Sequence, residues 1–303
     1  MGKSTIFLGQ PLLCQLLKFF DKDKILRLSR KMGGERYVKS FDGWHHLVVM
    51  PAVIMRFDSL REITASTLAE ARKLNHLGIT TMPRRSTLSD ANARRPEAFF
   101  EAVYRDLLAS NRHLLSADSR SGSMPPWFGS LLILDSTTIP LFSNLIFKGV
   151  GRNPKNGQKK GGIKVHKIIR AEEGVASDIK FTSAATHDSF MLAPGDFSRG
   201  DLLAMDRAYI DYEKLVPLRY FYGESANAIK IQIWVTLIAN LLLTLMQRSL
   251  KRKWSFSGLA TMTRILLMCY VDYRMFFENP ERDWQQIEAS APESPPELEL
   301  KFE

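Results

Sequence analysis

SLLILDSTTIPLFS, residues 130–143, sets an apolar run, Leu131 to Leu134, directly before one carboxylate, Asp135. The run is short, lacks helical spacing and is followed by Ser and Thr, which predicts a buried strand. Asp135 then either leaves the sheet at the strand's end or sits in its middle, facing one side. A buried carboxylate costs several kcal/mol unless a cation or hydrogen bonds offset it, so Asp135 is a metal-ligand candidate. A second reading has Asp135 accept bonds from Ser136, Thr137 and Thr138 in a turn.

The pattern recurs in DLLAMDRAYIDY, residues 201–212, where Leu202, Leu203, Ala204 and Met205 lead into Asp206. Two adjacent strands that bring aspartates to one edge make a geometry suited to Mg²⁺, which takes carboxylates and keeps waters. A pair of such ions, roughly 3.5–4 Å apart, can activate water and steady the leaving oxygen in phosphodiester cleavage.

Four blocks carry a family resemblance: LDSTTIPLFSNLIFKGVGRNPKNGQKKGGIKVH, FTSAATHDSF, DRAYIDY and LRYFYGESANAIKIQIWVTLIANLLL. In this order they resemble the DDE transposases of bacterial insertion sequences, and within those the insertion-sequence-four group. FLGQPLLCQLLKF and FDGWHHLVVMPAVIMRFDSLREI resemble the extra N-terminal domain of unknown function found in one subfamily. The resemblance spans about Ile6 to Leu250. It implies an RNase H-like fold and DNA cleavage and strand transfer with Mg²⁺ or Mn²⁺, on double-stranded DNA and by a homo-oligomer. By motif match, Asp135 and Asp206 stand at the first two catalytic, metal-binding aspartates.

One departure stands against these matches. The family's third carboxylate is a Glu on a helix, within a Tyr–Arg–Glu–Lys pattern that follows an inserted mostly-β segment. Here Tyr212-Glu213-Lys214 runs directly into Leu215-Val216-Pro217-Leu218-Arg219-Tyr220. The insertion and the Glu helix are missing near 214/215, and no third ligand is identified. Glu213 and Glu224 are the nearest acids, and neither has the family setting. The fold expected is therefore α/β: a mostly helical N-terminal domain, then an incomplete RNase H-like mixed sheet. Two functions follow from this, an impaired transposase or a catalytically dead DNA-binding remnant that occupies element ends or inhibits intact transposase.

The chain has 303 residues, 45% hydrophobic and 24% charged, enough for a sizeable core in one or two domains. Net charge is +10, yet the last 25 residues hold seven acids and two bases, which leaves +15 on the rest. That excess favours a polyanion such as DNA. Two distant cysteines, Cys14 and Cys269, make neither a disulfide framework nor a zinc site. Their scarcity fits a reducing cytoplasm, and MGKSTIFLGQPLL lacks the apolar core of a signal peptide.

Residues 1–125 carry apolar residues at helical spacing over Pro11–Phe20, Phe41–Phe57 and Pro96–Leu115. In TTMPRRSTLSDANARRP, residues 80–96, Pro83 breaks the chain and Ser86 can cap a helix over Thr87–Arg94. Arg84 and Arg85 before it, Ser86 and Thr87 at its start, and Arg94 and Arg95 at its close resemble a DNA recognition helix. A solvated charged helix reads the same way. His45-His46 lacks the glutamate of an HExxH zinc pattern, which favours packing.

Ala117–Trp127, rich in Ser, Gly and Pro, is a linker, and the second domain runs over 126–278. Lys148–His166 is a glycine-rich basic hairpin that can lie along a DNA backbone through Arg152, Lys155, Lys159, Lys160 and Lys164, and a plain solvated hairpin reads the same way. Ile163–Arg170 and Ala176–Ser183 alternate as strands around a Glu172-Glu173-Gly174 turn. Ala226–Gln247 is the most apolar stretch. Its core falls short of the roughly 20 residues of a membrane span, so it reads as a buried helix and no membrane partner is expected. Residues 279–303 form a Pro-rich acidic tail of disordered type.

Overall fold

The computed structural model describes residues 9–50, 57–115, 130–140, 151–152, 161–184, 198, 200–205, 223 and 225–282. Seven helices come first: α1 (Leu12–Leu16), α2 (Lys22–Lys31), α3 (Gly43–Val49), α4 (Leu60–Ala69), α5 (Ala71–Leu74), α6 (Arg85–Arg94) and α7 (Glu97–Leu115). Local chemistry sets several starts. Asp21 accepts from the Asp23 and Lys24 amides, Asp42 from that of His45, and Ser59 from that of Glu62. Each side chain satisfies a donor that the first helical turn leaves open.

The strands follow: β1 (Leu131–Pro140), β2 (Gly151–Arg152), β3 (Gly161–Arg170), β4 (Val175–Ser183) and β5 (Leu202–Met205). β1 runs antiparallel to β3 and β3 antiparallel to β4, while β5 runs parallel to β1 on its other side. β2 pairs the first residues of β3. A three-strand antiparallel meander with a parallel strand beside its first member is the sheet order of an RNase H-like fold. Among the described residues β5 has one neighbour, β1.

The last helices are α8 (Ala226–Ser249), α9 (Phe256–Leu266) and α10 (Tyr273–Glu278). α8 is long and apolar enough to cross a membrane by length and composition alone, yet 89% of its apolar window is buried inside the protein. It is a core helix, packed against α7 and α9. Trp234 on α8 meets Tyr104 of α7 at 5.6 Å and Phe181 of β4 at 5.4 Å, so helix and sheet share one interior. That interior is continuous from Leu12 on α1 to Phe277 on α10.

Several sequence expectations need revision. The expected helix over Thr87–Arg94 begins two residues earlier, at Arg85. Arg84, just after Pro83, takes an extended conformation as N-cap without a side-chain bond, and Ser86 lies inside the first turn instead of capping it. Of the helix expected over Phe41–Phe57, Gly43–Val49 is helical, and residues 51–56 lie outside the described residues. Ser136, Thr137 and Thr138 belong to β1, so the turn reading for Asp135 fails. The linker Ala117–Trp127 and the tail beyond Arg282 lie outside the described residues.

Candidate active site and nucleic-acid surface

Asp135 occupies the middle of β1 and is 6% exposed. Alternation along the strand puts it on the same face as Ile139, which joins the main core under the helices. Its direct partner across the antiparallel ladder is Lys167 of β3, 3% exposed. Side chains so paired have Cβ atoms only about 4.5–5.5 Å apart. Burial pushes the Lys167 ammonium down to about 8, and the charge of Asp135 works against that fall. The interior of the sheet thus holds a carboxylate beside a cation, the arrangement that keeps two buried charges tolerable.

The parallel ladder decides what else comes near. Leu134 is the register partner of Met205. These two residues immediately precede the two aspartates, so β1 and β5 run in step up to that point. Asp206 itself lies outside the described residues, as do Glu213 and Glu224. Among the described residues, no group of three or more His, Cys, Asp or Glu side chains is close enough to hold a metal ion. The hard oxygen of Asp135 suits Mg²⁺.

The expected DNA-contacting residues divide. Arg84, Arg85, Ser86, Thr87 and Arg94 are exposed on or beside α6, which turns Leu88 and Asn92 inward. Arg94 pairs with Asp90 one turn back. Arg95 differs from the others, because it is 4% exposed and engages two of its nitrogens internally. Its Nε donates to the Gly34 carbonyl at 3.1 Å and an Nη to that of Phe41 at 2.7 Å. Its guanidinium also lies 5.7 Å from the centre of the Phe41 ring. It ties the end of α6 to the loop before α3.

In the basic hairpin, Arg152 belongs to β2 opposite Gly161. Lys164 sits half-buried on β3 opposite Thr138. By alternation Lys164 is on the sheet face away from Asp135. Lys155, Lys159 and Lys160 lie outside the described residues. His46 packs as its lack of a zinc pattern implies: it is fully buried, its Nε2 lies 2.8 Å from Asn92 Oδ1, and its ring meets Phe100 edge-on.

Two features escaped the sequence reading. Lys167 gave one faint signal, a lysine in phase with Ile163, Val165 and Ile169 on an apolar face. The second is Asn227 at the start of α8. Its amide nitrogen donates to the Asn92 and Arg95 carbonyls at 3.0 and 2.7 Å, and its oxygen accepts from the Glu97 amide at 3.1 Å. One side chain thereby closes α6 and opens α7. Further along α8, Lys230 and the Trp234 ring nitrogen both reach the Glu97 carboxylate, at 2.7 and 3.0 Å.

Comparison with known families gives two matches. Residues 8–80 match a family described as a domain of unknown function (DUF4372), and residues 126–237 match the transposase DDE domain. No curated protein and no solved structure matches the chain.

Proposed function

From the premise that the chain carries a transposase DDE domain behind a domain of unknown function, we propose that it is a DNA transposase of an insertion sequence, impaired in cleavage. The observation that carries this reading is the register of Leu134 with Met205, the residues just before Asp135 and Asp206, which runs β1 and β5 in parallel and in step. The division we assign is a helical DNA-binding part over 1–125, the DDE part over 126–278 and an acidic tail over 279–303.

A DDE domain implies a divalent metal, for which Mg²⁺ or Mn²⁺ fits carboxylate ligands. Asp135 and Asp206 would hold it, and when bound it would polarise the phosphodiester and activate the attacking water or 3′-hydroxyl. The chain's own part is positional. Asp135 is fixed in mid-strand with Lys167 as its internal counter-charge. Arg84, Arg85, Ser86, Thr87 and Arg94 would grip element ends, and Arg152, Lys155, Lys159, Lys160 and Lys164 would follow the backbone. The working form is a cytoplasmic homo-oligomer on double-stranded DNA.

The second reading, a DNA-binding remnant without catalysis, is favoured by one observation. Lys214 runs straight into Leu215, where the family places the insertion and the third carboxylate. Two carboxylates are a poor cage for two metal ions. Nicking of a duplex bearing the element's own ends, with Mg²⁺ or Mn²⁺, separates the two. An impaired transposase nicks slowly, and Asp135→Ala abolishes the product. Folded protein that binds the ends without any nicking establishes the remnant instead.

A further inference from the structure

Tyr37 is 79% exposed, more than any other large hydrophobic side chain among the described residues. It is also their one non-glycine residue with positive φ, at 61°. A left-handed conformation costs an ordinary L-residue roughly 1–2 kcal/mol, and at this exposure packing returns almost nothing. Strain of this kind persists only where the surroundings over-determine it, and it clusters at ligand clamps.

The surroundings here are rigid. The Gly34 amide donates to the Ser29 carbonyl at 2.7 Å, and a Cβ on Gly34 would stand 2.6 Å from Ser29 Oγ. The Glu35 carboxylate accepts from Ser29 Oγ and, at 2.7 Å, from the Gly43 amide. Arg95 holds the Gly34 and Phe41 carbonyls from the α6 side. The Arg36 guanidinium lies 5.0 Å from the Tyr37 ring centre.

This pinned turn forms one wall of a cavity of about 610 Å³, and α6 forms the other through Thr87, Asp90 and Arg94. Arg36, Lys39, Arg94 and the buried Arg95 line it against a single carboxylate, Asp90, which Arg94 already pairs. A cationic groove with a fixed aromatic at its lip matches a nucleic-acid strand with one base turned out of its stack. We infer that this groove is a DNA subsite in which Tyr37 stacks on an unpaired base while Arg36, Lys39 and Arg94 hold the adjoining phosphates. The inference rests on the DNA-binding reading above and deepens it.

The test compares a fully paired duplex with a forked duplex carrying a fluorescent adenine analogue in its unpaired arm, both offered to the full-length chain. Tyr37→Ala should weaken forked-duplex binding about tenfold, the effect of losing one stacked base, and should restore the fluorescence that stacking quenches. Tyr37→Phe keeps both, and the paired duplex is indifferent to either change. Lys39→Ala should weaken both duplexes alike and lower the salt dependence by about one released ion. Equal binding of the forked duplex by wild type and Tyr37→Ala overturns the subsite while leaving the DNA reading intact. A wild-type chain that binds neither duplex overturns both.

Discussion

His46 packs on residues of α6 and α7, with Asn92 on one ring nitrogen and the Phe100 ring perpendicular to its own. Burial, aided by the nearby Arg95 charge, pulls its pKa from 6.5 to about 3. The sign follows directly. The unfolded chain takes up a proton at this ring below pH 6.5, and the folded chain refuses it until about pH 3. Stability is therefore whole above the unfolded value and falls as pH drops through that window, by roughly 1.4 kcal/mol for each unit crossed. Urea unfolding from neutral pH to about pH 4 should show the loss, and His46→Gln, which keeps an amide donor for Asn92, should flatten it. Parallel curves for the two proteins would mean that other groups carry the acid response. The same burial argument applies to Lys167, where the charge of Asp135 across the sheet works against the fall.

At the level of elements, α8 is the member through which the helical region and the sheet meet. Asn227, Lys230 and Trp234 fall at i, i+3 and i+7, one face of the helix. All three engage the junction of α6 and α7. Asn227→Ala strands the Arg95 and Asn92 carbonyls and the Glu97 amide at once, and each partly buried group left unmatched costs about 1–3 kcal/mol. The expected loss is about 3 kcal/mol or more in chemical denaturation, together with weaker DNA binding through a loosened α6; an unchanged midpoint would show that water replaces the side chain. Much of this level was legible beforehand. An apolar run ending on Asp135 announced a strand, and the apolar stretch Ala226–Gln247 announced a helix, although its length did not place it: α8 is long enough to span a membrane, and its burial is what makes it a core helix. Arg95 was not legible, because an arginine beside Arg94 reads as surface until the Gly34 and Phe41 carbonyls are seen to face it. Lys167 was hidden for a related reason: its role depends on which residue lies across the ladder, and cross-strand register is a property of two segments together.

For the whole molecule the question is whether the helical region and the sheet are independent folding units. The main core is one cluster from Leu12 to Phe277, with members on α1, α3, α7, β3, β4, α8 and α10, and a small second cluster of Leu132, Leu134 and Ile168 lies on the sheet. The chain also doubles back on itself. The Leu12 and Leu13 amides donate to the Cys269 and Leu267 carbonyls at 2.9 and 2.8 Å. Gln15 donates to the Val271 carbonyl at 2.7 Å and accepts from the Tyr273 amide at 3.2 Å. Helices that depend on the last described segment for their cover lack a core of their own. Native-state hydrogen exchange should accordingly give α3, α7 and α8 a common opening free energy, close to that of global unfolding. Ending the chain at Leu250 should lower protection in α1 and α3 although both lie far upstream. If α3 and α7 kept their protection in that shortened chain, the helical region would be a domain in its own right. The DNA contacts proposed for it could then be moved relative to Asp135, whereas a single cooperative unit holds α6 and the carboxylate strand in one fixed geometry.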